Sequence, residues 1–387
     1  MKYMGSKLSM LQNGLGTLIR SRARSAERVV DLFSGSAAVS WFVAEHTKTP
    51  VLANDLQEFA SVLARAVIGR TKPLDPASAG AQWFVAANTQ IWNSPAWYEA
   101  KALERSKGPT KELVAACREF CKSKPEIGVI WGAYGGHYFS PSQALAIDAL
   151  RSGLPTSEPA RSVCLASVII AASKCAAAPG HTAQPLSADA RSGQKSIRDA
   201  WKHDPVLVTL RVLHELCARF SKVAGEAVTL DAMGLAKNLK PGDLAIVDPP
   251  YSDVQYSRFY HVLETIARGS CGDVQGRGRY PAVELRPQSR FSKRSESEQA
   301  MRDLLGSLSE AGASVIVTFP RDECSNGLSG EVIATMAQEN FRVCSKLVTG
   351  RFSTLGGDNT TRKARVNSEE LILSLRPKRR GLSSRTA

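Results

Sequence analysis

The sequence lacks any uninterrupted apolar run of about 18 residues, the length that a membrane-spanning helix needs. Its longest apolar candidate, residues 163–178, is interrupted by Ser167, Ser173 and Lys174, which predicts a buried helix instead. The N-terminal residues carry no hydrophobic stretch of the kind found in signal peptides. We therefore expect a cytoplasmic protein without a membrane segment.

Patterns typical of metal sites are also missing. The 8 cysteines include one CxxxC pair, Cys117 and Cys121, but no second Cys or His pair stands at zinc-finger spacing. The 6 histidines form neither an HxxxH nor an HExxH pattern. We predict buried, reduced thiols and no metal site.

The sequence has fewer acidic than basic residues. Lys and Arg number 50 against 36 Asp and Glu, which gives a net charge of +14. This surplus favours a polyanionic partner, because cationic side chains that neutralise phosphates release counterions; a membrane surface is the weaker alternative. The hydrophobic fraction of 43% excludes a wholly disordered or collagen-like chain, and 387 residues indicate two or three domains.

The first 70 residues alternate strand and helix signals. The β-branched run at 29–33 predicts a buried strand, residues 37–45 predict a helix, and 51–55 predict a second strand. Apolar positions at helical spacing then predict a helix over 59–66. This βαβ unit predicts a parallel sheet covered by helices.

The middle of the chain, residues 72–224, is interpreted as an insertion. It holds five of the 6 Trp residues, and helices are predicted at 111–122 and 162–177. Beyond it, strands are predicted at 228–231, 244–248 and 314–319, helices at 259–267 and 298–308, and an antiparallel strand pair at 341–347 and 370–375. The sequence therefore predicts an α/β domain in two parts, 1–71 and 225–376, around an inserted region 72–224, with a basic tail at 377–387.

The motif Asp248-Pro249-Pro250-Tyr251 follows a predicted buried strand. Ligands of open α/β sheets bind at the carboxyl ends of strands, so chemistry is expected there. The two prolines stiffen the backbone and lack N–H donors, which leaves their carbonyl groups to accept hydrogen bonds. A rigid carbonyl beside an Asp carboxylate suits the two protons of an exocyclic amino group, and the Tyr251 ring suits stacking on a base. The motif predicts catalysis by positioning an amino nitrogen.

A turn of small residues, Asp31-Leu32-Phe33-Ser34-Gly35-Ser36, follows the first predicted strand. Small residues let a ligand approach the backbone, and a helix N-terminus faces it. Asp55 ends the second strand, where a carboxylate accepts from the hydroxyls of a ribose. Ala37 and Ala38 depart from the GxGxxG pattern of pyrophosphate binding, so a nucleoside without phosphates is favoured over a dinucleotide.

Several short segments, taken in their order along the chain, resemble the motifs of the Dam-type (D12 class) adenine-N6 DNA methyltransferases. The resemblance covers about residues 1–70 and 225–375 and rests on Lys2-Tyr3-Met4-Gly5-Ser6-Lys7, the small-residue turn, Asp55, Asp231 and the Asp248-Pro249-Pro250-Tyr251 motif. It implies a Rossmann-like S-adenosylmethionine-dependent methyltransferase sheet with a largely helical inserted target-recognition region. Two positions depart from the family pattern: Tyr3 replaces the more usual Trp, and Ala37 replaces a frequent Gly.

The resemblance also implies a role for each site residue. The residues implied in S-adenosylmethionine binding are Tyr3, Lys7, Asp31, Phe33, Ser34, Gly35, Ser36, Asp55 and Asp231, with Asp55 on the ribose and Asp231 on the cofactor adenine. The catalytic residues are Asp248, Pro249, Pro250 and Tyr251, which bind a target adenine flipped out of duplex DNA. The implied partners are double-stranded DNA and, in a restriction–modification system, a cognate restriction endonuclease; a solitary or phage-type enzyme is the other form. The implied enzyme is a monomer associated with the nucleoid.

Several alternatives remain open at the level of sequence. Three other methyl acceptors are considered: adenine in RNA, N4 of cytosine in DNA, and a protein amide. A fourth alternative is a DNA-binding subunit without catalytic activity. Asp at the first motif position favours adenine over cytosine N4, and the charge of +14 favours nucleic acid over a protein amide. Residues 252–264 are predicted to continue the rim of the target pocket. The basic residues Arg286, Arg290, Lys293 and Arg294 either follow a DNA backbone or belong to a solvated loop.

Overall fold

The computed structural model describes residues 7–106, 110–353 and 365–378. Tyr3, which the resemblance assigns to cofactor binding, lies outside the described residues. So do residues 379–387, which make up most of the predicted basic tail.

Each predicted helix and strand has a counterpart in the structure. The helices are α1 (Leu8–Met10), α2 (Gly16–Ala23), α3 (Ala38–His46), α4 (Glu58–Ile68), α5 (Pro76–Trp92), α6 (Pro95–Glu104), α7 (Thr110–Lys122), α8 (Val129–Tyr134), α9 (Pro141–Ser152), α10 (Ala160–Cys175), α11 (Arg191–Trp201), α12 (Pro205–Cys217), α13 (Ala232–Ala236), α14 (Tyr256–Arg268), α15 (Ser297–Glu310) and α16 (Gly330–Ala337). The strands are β1 (Arg28–Asp31), β2 (Val51–Asp55), β3 (Glu226–Thr229), β4 (Asp243–Val247), β5 (Val274–Gln275), β6 (Tyr280–Pro281), β7 (Ser314–Pro320), β8 (Phe341–Ser353) and β9 (Arg365–Pro377).

The described residues form a seven-stranded sheet with the order β3-β2-β1-β4-β7-β9-β8. Strand β1 pairs in parallel with β2 and β4, and β4 pairs in parallel with β7. Strand β9 runs antiparallel to both β7 and β8. The predicted α/β fold is confirmed: a mostly parallel, Rossmann-like sheet that an antiparallel pair completes.

The chain divides into two compact units. The sheet unit consists of the described residues within Gly5–Leu56, Val228–Val254 and Ser289–Ala387, and the helical unit consists of those within Gln57–Ala227 and Gln255–Gln288. The boundaries 1–71, 72–224 and 225–376 stay a prediction.

The core of the sheet unit forms where apolar strands are covered by helices. All five residues of β4 are buried, as expected for a strand covered on both faces of a parallel sheet. One apolar cluster joins strands β1, β4 and β7 to helices α13, α15 and α16 through residues such as Val30, Val247, Val317, Leu304 and Ile333. This packing holds the carboxyl ends of the central strands in fixed positions.

Helix α10 lies at the centre of the helical unit. It contacts α4, α9, α12 and α14, and nearly all of its residues are buried, as predicted for this apolar segment. Trp83 and Trp131 are buried, whereas Trp92 on α5 and Tyr98 on α6 are each 60% exposed. The buried aromatic residues of this unit therefore belong to its hydrophobic core, whereas Trp92 and Tyr98 lie at its surface.

Among the described residues, no helix has both the length and the apolar character that crossing a membrane requires. Nor do they contain a group of three or more His, Cys, Asp or Glu placed to hold a metal ion. The cysteines are free, and Cys117 and Cys121 are buried as predicted. The prediction of burial is wrong for Cys344, which is exposed on β8, an edge strand of the sheet.

Candidate active site

The candidate site lies at the carboxyl ends of β1, β2 and β4 in the sheet unit. The strand order reverses between β1 and β4, because chain order runs from β1 through β2 to β3 in one direction and from β4 to β7 in the other. Asp31 and Asp55 are the last residues of β1 and β2, and Asp248 directly follows β4. Such a reversal is where open α/β sheets bind ligands.

The small-residue turn after β1 is closed by a carboxylate from β2. The Gly35 amide donates to Asp55 Oδ2 at 2.8 Å, and the Ser34 amide donates to the Asn54 carbonyl oxygen at 2.8 Å. Gly35 has φ +49° and Ala37 has φ +61°, a left-handed conformation that favours glycine. The turn thereby brings Gly35 and Asp55 together, as expected if both face one ligand.

Asn54 is a buried polar residue that sequence reasoning missed. Its side-chain Nδ2 donates to the Leu32 carbonyl oxygen at 3.1 Å, and its Oδ1 accepts from the Leu230 amide at 3.1 Å. The Leu230 amide also lies 3.1 Å from the Asp55 carbonyl oxygen. Asn54 thus ties together the chain segments that follow β1 and β3. Its only signal in the sequence is a polar residue inside an apolar strand.

Asp31, the acid with which the turn begins, is only 2% exposed. Its Oδ2 accepts from the Ser40 hydroxyl at 2.6 Å. The pKa of Asp31 is raised from 3.8 to about 7, mainly by burial and also by the neighbouring charges of Asp248 and Asp55, while the hydrogen bond from Ser40 opposes the rise. The site is therefore rich in carboxylates that lack full compensation, an environment that suits a cation.

The partners of the Asp248 carboxylate among the described residues all contact one of its two oxygens. Its Oδ1 lies 3.0 Å from Lys7 Nζ and accepts from the Thr318 hydroxyl at 2.8 Å. Among the described residues no donor reaches Oδ2, and the side chain keeps 20% exposure. Burial raises the pKa of Asp248, and the Lys7 ammonium and the Thr318 hydroxyl oppose this rise.

A second acid, Glu370 on β9, shares the Lys7 ammonium. Lys7 Nζ lies 3.3 and 3.1 Å from the two carboxylate oxygens of Glu370, and both side chains are almost fully buried. Although burial alone would lower the pKa of Lys7, Asp248 and Glu370 raise it above its ordinary value. Sequence reasoning missed Glu370, because it named this segment only as a strand. Lys7 is thus a buried cation between two carboxylates.

The two proline carbonyls of the motif differ in their partners. The Pro250 carbonyl accepts from Asn326 Nδ2 at 2.9 Å, so the expectation that both carbonyls stay open is wrong for Pro250. Asn326 is fully buried and also donates to the Phe291 carbonyl oxygen at 3.0 Å, which fixes the motif to the loop after β7. No donor among the described residues reaches the Pro249 carbonyl. The structure therefore leaves Asp248 Oδ2 and the Pro249 carbonyl as neighbouring acceptors.

The remaining predicted residues lie around this centre. Tyr251 and Phe33 are half-buried and pack against the apolar cluster of the sheet unit. Asp231 is exposed at the start of α13, next to Leu230, and its side chain makes no capping hydrogen bond. Ser34 Oγ is buried without a hydrogen-bond partner among the described residues. A polar ligand at the turn would satisfy this hydroxyl, which fits the cofactor that the resemblance implies.

One expectation for the segment after the motif is wrong. Residues 259–264 were expected at the rim of a target pocket, but they are buried on α14 inside the helical unit. The physical reason is that α4, α8, α10 and β6 all contact α14, so residues on every face of the helix are covered.

Two comparisons with known proteins agree with this geometry. Residues 3–112 match the family model described as D12 class N6 adenine-specific DNA methyltransferase. Over 64 residues the chain is 42% identical to modification methylase LlaI of Lactococcus lactis subsp. lactis, an alignment that covers 16% of this chain and 10% of that protein. The chain thus spans about a tenth of the length of the curated relative that it matches. The predicted resemblance is confirmed over residues 3–112, and Asp231 and the Asp248–Tyr251 motif lie outside that segment.

Proposed function

We propose, with the match of residues 3–112 to the D12 class of adenine-specific DNA methyltransferases as the premise, that this protein methylates N6 of adenine in double-stranded DNA. The matched family supports adenine over cytosine and DNA over RNA. The net charge of +14 is in keeping with a polyanionic substrate.

One observation carries the proposal: the pair of open acceptors at the end of β4. Asp248 Oδ2 and the Pro249 carbonyl oxygen have no donors among the described residues, while Lys7 and Thr318 both occupy Oδ1. Two neighbouring acceptors match the two protons of an adenine amino group. Holding both protons directs the nitrogen lone pair away from the motif. Catalysis then comes from position and electrostatics rather than from a covalent enzyme intermediate.

S-adenosylmethionine, when bound, would supply an electrophilic methyl group on a sulfonium. The residues that would hold it are Lys7, Asp31, the turn from Phe33 to Ser36, Asp55 and Asp231. Gly35 allows close approach to the backbone, and the Asp55 carboxylate, which accepts from the Gly35 amide at 2.8 Å, is the proposed acceptor for ribose hydroxyls. The exposed Asp231 carboxylate is one residue from the Leu230 amide that bonds to the Asp55 carbonyl, so both acids serve one nucleoside.

The excess of carboxylates over cations stabilises positive charge at the reacting centre. Lys7 compensates one of the two acids that it contacts, and Asp31 and Asp55 add further negative potential. Methyl transfer to N6, with the demethylated thioether as the leaving group, would leave the amino nitrogen with one proton to lose. In the proposed mechanism Asp248 Oδ2, hydrogen-bonded to that amino group, accepts the proton.

Double-stranded DNA is the proposed partner, with the target adenine flipped out of the duplex. We propose that residues 72–224 recognise the target, in support of which Trp92 and Tyr98 present exposed rings. The relative from Lactococcus lactis is a modification methylase by name, which supports a role in restriction–modification with a cognate endonuclease.

The test is a methylation assay on the full chain with methyl-labelled S-adenosylmethionine. Duplex DNA and structured RNA are compared as acceptors, and the products are hydrolysed to identify the methylated base. We expect N6-methyladenine from duplex DNA. For Asp248→Asn, which keeps an oxygen for Lys7 and Thr318, we expect kcat to fall by about 100-fold or more.

The matched control is Glu298→Gln, an exposed acid on α15 that pairs with Arg302 at the surface and lies outside the proposed target-recognition region. Cofactor binding, measured by calorimetry, should stay close to that of the unmodified protein in both variants. N4-methylcytosine as the product would contradict the choice of base. Near-normal turnover of Asp248→Asn and Asp248→Ala would contradict the assignment of the site.

A further inference from the structure

The Lys7 ammonium lies between two carboxylates of the sheet unit and does not contact them equally. Its Nζ atom is 3.0 Å from Asp248 Oδ1, whereas it lies 3.3 and 3.1 Å from the two oxygens of Glu370. The side chains of Lys7 and Glu370 are 3% and 1% exposed, so both charges are removed from solvent. The ammonium is therefore held by both oxygens of Glu370 but by one oxygen of Asp248.

The contacts with Glu370 use N–H donors that could otherwise reach Asp248 Oδ2. An ammonium carries three donors on a flexible stem, so with a single carboxylate as its partner it can bridge both oxygens of that carboxylate. Here Glu370 engages the ammonium from β9, while Thr318 on β7 donates to Asp248 Oδ1 at 2.8 Å. The cation and the hydroxyl both contact Oδ1, and no donor among the described residues reaches Oδ2.

The charges of this cluster do not balance. One ammonium faces two carboxylates, so the group keeps a net negative charge when both acids are ionised. Burial and the charge of Asp248 raise the pKa of Glu370, while Lys7 opposes the rise. Asp31 is a third acid near Asp248, and Cys324 near Glu370 is a neutral thiol, because burial and neighbouring acids raise its pKa to about 11. Asp248 is therefore a more negative acceptor than it would be in an isolated pair with Lys7.

We propose that Glu370 is a positioning residue for methyl transfer: it holds the Lys7 ammonium on Asp248 Oδ1, which keeps Asp248 Oδ2 open and negatively charged for the amino group of the target base. This inference rests on the proposed function and deepens it, because Glu370 acts through Lys7 rather than on the substrate. Without the charge of Glu370, Lys7 would neutralise Asp248 alone and could bridge both of its oxygens. Either change weakens the hydrogen bond to the amino group and the stabilisation of positive charge on its nitrogen.

The first variant is Glu370→Gln, assayed on the full chain with methyl-labelled S-adenosylmethionine and duplex DNA. We expect kcat to fall by roughly tenfold or more, while the cofactor affinity measured by calorimetry stays within about threefold, because the charge of Lys7 is unchanged. The matched control is Glu369→Gln, at the preceding acid of β9, which pairs with Arg321 at 2.7 Å. This control should turn over as the unmodified protein does.

A second readout tests whether Glu370 acts through the Asp248 carboxylate. In the Asp248→Asn background, the charged acceptor that Glu370 serves is already lost. Adding Glu370→Gln to that background should therefore lower kcat by less than about twofold, whereas two independent effects would multiply. A further loss of about tenfold in that background would overturn the inference, because it would show that Glu370 acts on turnover by another route.

A third readout needs no methyl transfer. The carboxyl carbon of Asp248, followed by NMR in protein labelled at Asp and assigned through Asp248→Asn, reports the protonation of this acid. Loss of the Glu370 charge leaves Lys7 to Asp248 alone, so the pKa of Asp248 should be lower in Glu370→Gln than in the unmodified protein. Asp31 and Tyr251, which interact with Asp248 and Lys7 respectively, are the same in both proteins. An unchanged pKa of Asp248 would overturn the inference.

These outcomes are separable from the proposed function. If the unmodified chain transfers no methyl group, the proposed function fails, whereas a lower Asp248 pKa in Glu370→Gln would still support the control of this carboxylate by Glu370. If the unmodified chain methylates adenine and Glu370→Gln does so equally well, only the inference on Glu370 is overturned.

Thermal unfolding of each variant, followed by circular dichroism, identifies a loss of fold. If Glu370→Gln does not fold, Glu370→Asp decides the test. Its carboxylate keeps the charge but is one methylene shorter and withdraws from Lys7, so kcat should fall severalfold. Normal turnover of Glu370→Asp would then overturn the inference.

Discussion

Replacing Asp31 by Asn should stabilise the fold at neutral and alkaline pH. Burial raises the pKa of this carboxyl from 3.8 to about 7, so the folded protein resists its ionisation, whereas the unfolded chain ionises freely. Well below pH 3.8 both states hold the proton and the residue costs nothing. As the pH rises through 7, the loss of folding stability caused by the buried carboxylate grows to its full value, about 4 kcal/mol. An amide cannot ionise, and its oxygen still accepts from the Ser40 hydroxyl.

The free energy of unfolding of Asp31→Asn should therefore exceed that of the unmodified protein by about 4 kcal/mol at pH 8 and by roughly 2 kcal/mol at pH 5. Urea denaturation at both pH values measures the difference, and hydrogen exchange at the amides of β1 assigns it to the sheet unit. Asp322→Asn, at an exposed acid, is the control and should show no such trend. A gain that is the same at both pH values, or a loss of stability, would refute the reasoning.

Cofactor affinity supplies the opposing measurement. If the buried carboxylate serves to hold a cationic ligand, Asp31→Asn should bind S-adenosylmethionine more weakly while it unfolds less readily. Such an exchange of stability for function is common at binding sites.

Three further substitutions test the frame of the site. Gly35→Ala places a side chain at φ +49°, so urea denaturation should show a loss of about 1–2 kcal/mol, and calorimetry should show weaker cofactor binding; unchanged values would argue against the turn. Asn54→Ala removes two buried hydrogen bonds and should lower the free energy of unfolding by about 2–3 kcal/mol, which a control at the exposed Asn93 should not do. Glu370→Gln leaves Lys7 with one carboxylate instead of two, and denaturation should reveal a loss of about 1–3 kcal/mol; full stability would show that Asp248 alone suffices for Lys7.

The sequence predicts well those residues that stand where a strand ends. Asp31, Asp55 and Asp248 each follow a buried apolar run, and parallel strands bring their carboxyl ends to one edge of the sheet. The same rule predicts that Gly35 and Asp55 meet, which their hydrogen bond at 2.8 Å confirms. Lys7 was placed near them only by family resemblance.

The residues that sequence reasoning missed are polar side chains within strands and loops far along the chain. The register of β7 and β9 brings Thr318 and Glu370 to the site, and the loop after β7 brings Asn326. Strand register cannot be predicted from composition or periodicity alone. For the same reason the partner of the Pro250 carbonyl was missed. For residues 259–264 the sequence wrongly predicts the rim of a pocket, whereas these residues are buried in a helix. A mixture of polar and aromatic residues is typical of both structures.

The ion pair between Lys7 and Glu370 joins residues that are 363 positions apart. During translation the ribosome makes Lys7 early, and its second counterion emerges only with β9. A nascent chain that lacks β9 therefore offers Lys7 the Asp248 carboxylate without the second contact that Glu370 supplies. Contacts of such long range form late in folding, so the candidate site is complete only after this strand has paired with β7.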